Sequence, residues 1–335
     1  MSELNTVAIK ILENGKGILA ADESTATMTK RLDDVGVQST PKNRLLFRET
    51  LFSSSSMTDC IGGVILYDET IKQQTSKKIK IPELISRMKS APGIKVDTGA
   101  KVLAGSPEEK ITEGLDGLRD RLKEYYRLGA KFTKWRGVYI IDENFPSKLS
   151  IQSNAHALAR YSALVQECNM VPIVEPEVLM DGDHTAKECF SKTSEVLKIC
   201  FEELISQKVD LKGIILKPNM ILAGNKCKDK ISNEEVAKLT LECLKNSVPS
   251  EVPGVAFLSG GQSEVEATEN LNLINKYNNT GFVMSFSYGR ALQQGALKFW
   301  SNDILNIEET QKIFNHRAKM NTLAAQGKWS EDLEI

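Results

Sequence analysis

The sequence predicts an α/β protein of one domain: a (β/α)8 TIM barrel with extra N- and C-terminal helices. Three observations lead there. Short apolar, β-branched runs recur eight times, each leaves through a polar or glycine-rich exit, and amphipathic stretches with apolar residues at three- and four-residue spacing lie between them. The strand candidates are Gly17 to Asp22, Gly62 to Tyr67, Ile94 to Asp97, Phe132 to Tyr139, Val171 to Glu177, Gly213 to Asn219, Val255 to Gly261 and Phe282 to Gly289. Helical spacing is clearest over Leu115 to Leu128, Asn154 to Cys168, Glu188 to Ile205, Asn233 to Asn246 and Glu264 to Ile274. One more helix, around Thr6 to Glu13, precedes the first strand, and a pair around Ala291 to Trp300 and Ile307 to Ala325 follows the last. Neither a linker nor a repeat divides the chain, so residues 1–335 read as one barrel, with 328–335 a short C-terminal tail. A doubly wound open sheet is the alternative, but the Gly-x-Gly-x-x-Gly turn it would carry after its first strand is missing.

Of the 335 residues, 41% are hydrophobic and 26% charged, and the formal net charge is −1. That balance argues against a dedicated binder of nucleic acid or of anionic membranes. An aromatic content of 6% offers no stacking platform for single-stranded nucleic acid. Six cysteines (Cys60, Cys168, Cys189, Cys200, Cys227 and Cys243) form no C-x-x-C pair and read as reduced thiols. The start of the chain lacks the basic and apolar blocks of a signal peptide, and no apolar stretch reaches the about 20 residues of a membrane span. A soluble, cytoplasmic protein is expected.

Lys217 lies in the run Gly213-Ile-Ile-Leu-Lys-Pro-Asn219, where apolar backbone leads straight into a cation. At the exit of a buried strand, desolvation favours the free amine, the form that attacks a carbonyl to give a Schiff base. The same position suits a lysine that snorkels to water or pairs with a core carboxylate. The other strand exits bear on the choice, because a barrel builds its site there. Asp22 ends the first candidate strand, Lys95 and Asp97 the third, Lys134 and Arg136 the fourth, Glu175 and Glu177 the fifth, Lys217 and Asn219 the sixth. Period-two alternation sets each of the last three pairs on one face, the barrel interior. Taken singly, each charge is more often half of a structural ion pair. Several lysines and carboxylates converging on neighbouring exits read as a site.

A second signal is independent. The seventh strand runs into Leu258-Ser-Gly-Gly-Gln-Ser263 and the eighth into Ser287-Tyr-Gly-Arg-Ala-Leu292, each opening a helix. Glycines let backbone N–H groups approach an anion, the helix start favours negative charge, and Arg290 offers bidentate donors. Loops after strands seven and eight are where barrels hold phosphate. Metal chemistry finds no such support. The three histidines lack H-x-H or H-E-x-x-H spacing, Asp181-Gly-Asp-His184 reads as a turn, and the serines Ser53 to Ser56 read as a loop. Neither a metal nor an organic cofactor is expected.

Taken in order, Gly15-Lys-Gly-Ile-Leu-Ala-Ala-Asp-Glu-Ser-Thr25, Cys60-Ile-Gly-Gly-Val-Ile-Leu66, Gly93-Ile-Lys-Val-Asp97, Lys134-Trp-Arg136, Val171-Pro-Ile-Val-Glu-Pro-Glu177, Leu216-Lys-Pro-Asn-Met220, Phe257-Leu-Ser-Gly-Gly-Gln-Ser263 and Phe286-Ser-Tyr-Gly-Arg-Ala-Leu292 form a specific series. From the first helix to about Gly327 the chain resembles class I fructose-bisphosphate aldolase. The resemblance implies that Lys217 is the Schiff-base lysine and Glu175 the acid and base for carbinolamine dehydration. It further implies that Asp22 takes the carbon-4 hydroxyl proton and Lys134 holds the neighbouring charge. Ser259, Gly260, Gly261, Ser287, Gly289 and Arg290 would hold the carbon-1 phosphate. Ser24, Thr27, Arg31 and Lys95 lie where the family binds the other phosphate end, and Arg136 joins the substrate-binding set. A homotetramer is also implied.

Three departures stand out. Lys212 occupies a usually acidic position at a strand entrance, Thr27 replaces a serine and keeps its hydroxyl, and the chain ends Gly-Lys-Trp-Ser-Glu-Asp-Leu-Glu-Ile335 without the long tail and terminal tyrosine of many relatives. The expected activity is reversible, metal-independent cleavage of fructose 1,6-bisphosphate to dihydroxyacetone phosphate and glyceraldehyde 3-phosphate, in glycolysis and gluconeogenesis. The alternatives are a metal-dependent barrel lyase with Asp22, Glu175, Asp181 and Asp183 as ligands, and a non-catalytic barrel scaffold.

Overall fold

Eight of the apolar runs become parallel strands that close on themselves in the computed structural model, which describes residues 2–334. The strands in chain order are β1 (Gly17–Ala21), β2 (Ile61–Leu66), β3 (Ala91–Lys95), β4 (Gly99–Leu103), β5 (Ser106–Glu113), β6 (Phe132–Tyr139), β7 (Val171–Val178), β8 (Ile215–Leu216), β9 (Gly254–Phe257) and β10 (Val283–Tyr288). Around the barrel the order is β1, β2, β3, β6, β7, β8, β9, β10 and back to β1, while β4 and β5 form a separate antiparallel hairpin. Helices follow the barrel strands, among them Thr25–Asp33, Lys148–Glu167, Ala186–Ser206, Asn233–Ser247 and Glu264–Tyr277.

Alternation along the strands divides the apolar side chains into two cores. Residues pointing outward meet the helices: Trp135 of β6 is fully buried and its ring lies 5.4 Å from that of Tyr161 in the helix Lys148–Glu167. Residues pointing inward near the amino ends, such as Ile18, Ile65, Phe132, Ile173 and Ile215, fill the barrel floor together with Ala8, Ile11 and Leu12 of the helix Glu3–Leu12. Burying side chains of this size stabilises by about 1.5 to 3 kcal/mol each. The N-terminal helix thus plugs the lower mouth, and Gly62 is needed for its approach: a Cβ there would sit 1.8 Å from the Ile11 carbonyl oxygen. With the floor sealed, only the carboxyl ends of the strands remain open.

The structure departs from the expected boundaries in several places. β3 spans Ala91–Lys95 rather than Ile94 to Asp97, and β8 keeps only Ile215–Leu216 of the expected seven residues. Gly213 belongs to a 3₁₀ turn and Pro218 has no N–H to extend a ladder. Ser53 to Ser56 is not a loose loop: Ser54 and Ser56 are buried, Ser56 N donates to Asn315 Oδ1, and Ser56–Cys60 is helical. The last residues are docked. Arg317 donates to both oxygens of Glu334 at 2.8 and 2.6 Å, while Trp329 donates through its backbone to Asn272 and through its indole to Glu334. Among the described residues no helix is long and apolar enough to cross a membrane, and all six cysteines are unbridged.

Candidate active site

Ladder register determines which polar side chains meet at the open end. Lys95 pairs with Lys134 across β3 and β6, and Arg136 with Glu175 and Val138 with Glu177 across β6 and β7. Lys217 follows β8, held by its own N–H on the Val174 carbonyl at 2.8 Å. Asp22 follows β1. These residues line a cavity of about 450 Å³, and so do the residues expected to bind substrate: Ser24, Thr27, Arg31, Lys95, Arg136, Ser259, Gly260, Gly261, Ser287, Gly289 and Arg290. A wider depression of about 650 Å³ abuts it and shares Thr27, Arg31, Gly261 and Arg290.

At the floor of the cavity one carboxylate is shared by two ammonium groups. Glu175 Oε1 lies 3.0 Å from Lys217 Nζ and Oε2 3.2 Å from Lys134 Nζ, while Lys134 Nζ is 2.8 Å from Asp22 Oδ2. Lys217, Lys134 and Glu175 are each no more than 4% exposed. In so dry a setting burial and charge pull in opposite directions. Burial alone pushes the Asp22 carboxyl up, but Lys134, with Lys217 and Lys95, holds it at about 2. Burial opposes the Lys134 ammonium, yet Asp22, Glu175 and Asp97 outweigh it and push this lysine well above its ordinary range. Glu175 is likewise pushed up by burial and brought down, on balance, by Lys134, Lys217 and Arg136. Glu177 goes the other way: burial, reinforced by the charge of Glu175, prevails over its ion pair with Arg136. Two carboxyl groups two residues apart therefore differ in proton affinity, the arrangement from which proton donors and acceptors are made.

On the opposite wall the β9 exit turns through Gly260 and Gly261 at φ +55° and +82°, a left-handed pair of the kind that glycine allows and that can offer backbone N–H groups to an anion. Ser287 at the β10 exit is 1% exposed, and its hydroxyl has no hydrogen-bond partner among the described residues. Gly289 then caps the helix Arg290–Trp300, whose first residue is Arg290. Across the mouth, Ser24 caps the helix Thr25–Asp33 and its hydroxyl lies 3.0 Å from that of Thr27. Lys95 pairs with Asp97.

Strand alternation stops short of Asn219. Asn219 does not join Lys217 in the cavity: its side chain accepts from Val178 N and donates to Thr193 Oγ1 and the Met220 carbonyl, facing the helix Ala186–Ser206. Period-two geometry ends with the strand at Leu216. Glu23 and Tyr67 line the cavity and were not singled out, although Glu23 sits between two residues that were. In the turn Asp181 to His184, Gly182 takes φ +132°, and both ring nitrogens of the buried His184 lack partners among the described residues. Among the described residues no group of three or more His, Cys, Asp or Glu is placed to hold a metal ion.

The chain is similar to known proteins along its length. The family model for fructose-bisphosphate aldolase class-I matches residues 3–334. A probable fructose-bisphosphate aldolase class 1 from Xanthomonas campestris is 49% identical over 330 residues, covering 98% of this chain and 99% of its own. The non-muscle type fructose-bisphosphate aldolase of Lethenteron camtschaticum is also 49% identical, over 98% of this chain and 90% of its own. The fructose-bisphosphate aldolase of Plasmodium falciparum, solved with TRAP and a small-molecule inhibitor, superposes with a TM-score of 0.96 at 44% identity, covering 98% and 95% of the two chains. Similarity at this level along the whole length makes the chain a member of the class I fructose-bisphosphate aldolase family.

Proposed function

We propose that Lys217 forms a Schiff base with the carbon-2 carbonyl of fructose 1,6-bisphosphate and that the protein cleaves it to dihydroxyacetone phosphate and glyceraldehyde 3-phosphate. The observation that carries this reading is Glu175 lying within 3.2 Å of both Lys217 and Lys134. Lys217 must lose a proton to attack, and the carboxylate 3.0 Å away receives it. Attack gives a carbinolamine. Glu175 returns the proton to the departing hydroxyl, water leaves, and the positive iminium remains on the Lys217 nitrogen. The bond between carbons 3 and 4 then breaks with its electrons flowing into that iminium, as the carbon-4 hydroxyl proton passes to Asp22.

Electrostatics couple the last two events. The charge at Lys217 is one of those that hold the Asp22 carboxyl low, and it vanishes as the iminium becomes a neutral enamine. Asp22 gains basicity at the moment it must accept a proton. Lys134 stays an ammonium throughout, because the carboxylates around it push its proton affinity up. Protonation at carbon 3 and hydrolysis release dihydroxyacetone phosphate. The cradle of Ser259, Gly260, Gly261, Ser287, Gly289 and Arg290 suits the carbon-1 phosphate, and Ser24, Thr27, Arg31 and Lys95, with Arg136 nearby, suit the distal end. Family resemblance extends the reading to a homotetramer acting in the cytoplasm. A coupled assay of purified Lys217→Met tests the core: no measurable cleavage is expected, and retained turnover overturns it.

A further inference from the structure

Arg48 takes no part in the scheme above, yet at 2% exposure it is the most buried cation among the described residues. It lies on the helix Pro41–Phe52, one turn after Arg44 and behind the distal wall of the cavity. Its guanidinium ties two strand exits together: Nη2 donates to the Glu23 carbonyl at 2.9 Å and Nη1 to Thr70 Oγ1 at 2.8 Å. Two carboxylates stand farther off, Glu23 Oε2 and Glu69 Oε2, each 3.8 Å away. Glu69 is already engaged by Arg44, and Glu23 Oε1 accepts from Arg31 and from Gln293 Nε2. Packing does not explain such a cation, since well-packed apolar side chains commonly replace buried charges without loss of stability.

The charge count is informative. Arg31, Arg44 and Arg48 face Glu23 and Glu69, three positive charges against two negative, so one positive charge is left over beside Ser24 and Thr27. Arg31 lines the cavity and is paired with Glu23, so a phosphate arriving there competes with a carboxylate for the same guanidinium. If Arg31 turned away, Glu23, 8% exposed, would be stranded unless another cation balanced it. We propose that Arg48 is that cation: a positioning residue that keeps Glu23 compensated while Arg31 moves from Glu23 to the distal phosphate of the substrate. The inference rests on the assignment of Arg31 to that phosphate made above.

The test compares the KM for fructose 1,6-bisphosphate with that for fructose 1-phosphate, which lacks the distal group. Arg48→Met is expected to raise the ratio of bisphosphate KM to monophosphate KM about tenfold, and Arg48→Lys, which keeps the charge, to leave it within about threefold. Arg31→Ala is the control: if it leaves the ratio unmoved, the distal assignment itself is wrong. If Arg31→Ala raises the ratio while Arg48→Met does not, or Arg48→Met shifts both substrates together, Arg48 is only a packing residue and the proposal is overturned. Should Arg48→Met not fold, Glu23→Gln releases Arg31 directly and is expected to lower the bisphosphate KM about threefold. An unchanged or raised KM would contradict the competition on which the proposal depends.

Discussion

Lys217 Nζ and Glu175 Oε1 lie 3.0 Å apart across the exits of β8 and β7, both buried, with Lys134 on the other oxygen of the same carboxylate. A proton exchanged between these two groups need not pass through water. Glu175→Gln keeps the shape and removes the exchange. Turnover of fructose 1,6-bisphosphate is expected to fall by about 10² to 10⁴, the range for loss of a general acid or base, with a smaller change in KM. Equal turnover would move the role to Glu177, the neighbour whose proton affinity is pushed up.

Asp22 links the site to stability. Its folded carboxyl sits at about 2 against an ordinary 3.8, so the ionised form favours the folded state. That contribution, about 2 kcal/mol, is complete above the unfolded value and disappears as pH falls from about 4 towards 2. Urea unfolding of the wild type and Asp22→Asn between pH 6 and 2 is expected to show a difference that shrinks by about that amount over this window. A difference independent of pH would mean that Lys134 does not hold the carboxylate.

Arg290 begins its helix at the β10 exit, beside the unpartnered Ser287 hydroxyl. Arg290→Ala would remove the charge-assisted contact proposed for the phosphate, worth about 1.5 to 3 kcal/mol, and a KM for bisphosphates raised by about 10- to 100-fold is the expected result. An unchanged KM would locate the phosphate elsewhere.

Glu334 has a structural part rather than a chemical one. It is held by Arg317 and Trp329, and among the described residues none beyond Arg290 lines the cavity. Glu334→Gln is expected to cost about 1 to 3 kcal/mol of stability by leaving Arg317 underpaired, while turnover changes by less than about threefold. Thermal unfolding beside steady-state cleavage separates the two, and a large fall in turnover would bring this segment into the reaction.

Most of the barrel could be read from the chain, because its strands alternate apolar runs with charged exits and each exit residue must be balanced where the run ends. The hairpin of β4 and β5 leaves little trace in the sequence for the opposite reason. Lys101, Val102, Glu108 and Lys110 are exposed, so little apolar periodicity marks its strands. β8 is shorter than expected because the apolar run Ile214 to Leu216 suggests a strand that continues through its exit, while the Gly213 turn and Pro218 cut its ladder to two. The misplacement of Asn219 follows from that shortening. Glu23 and Arg48 depend on contacts 25 residues apart, which no local pattern reports. Arginines at positions 44 and 48, set among Phe47 and Leu51 on a buried helix face, were the one trace of them.

Lys217, and not the adjacent Lys134, is proposed to make the covalent bond to substrate. Both amines face the cavity within reach of one carboxylate, but Lys134 is kept protonated by Asp22, Glu175 and Asp97. Borohydride reduction in the presence of dihydroxyacetone phosphate, followed by peptide mass spectrometry, distinguishes them because only an imine is reduced under mild conditions. Loss of activity with the reduced ligand attached to Lys217 alone is the result expected here. An adduct on Lys134 or another residue, or inactivation without any adduct, would contradict the account.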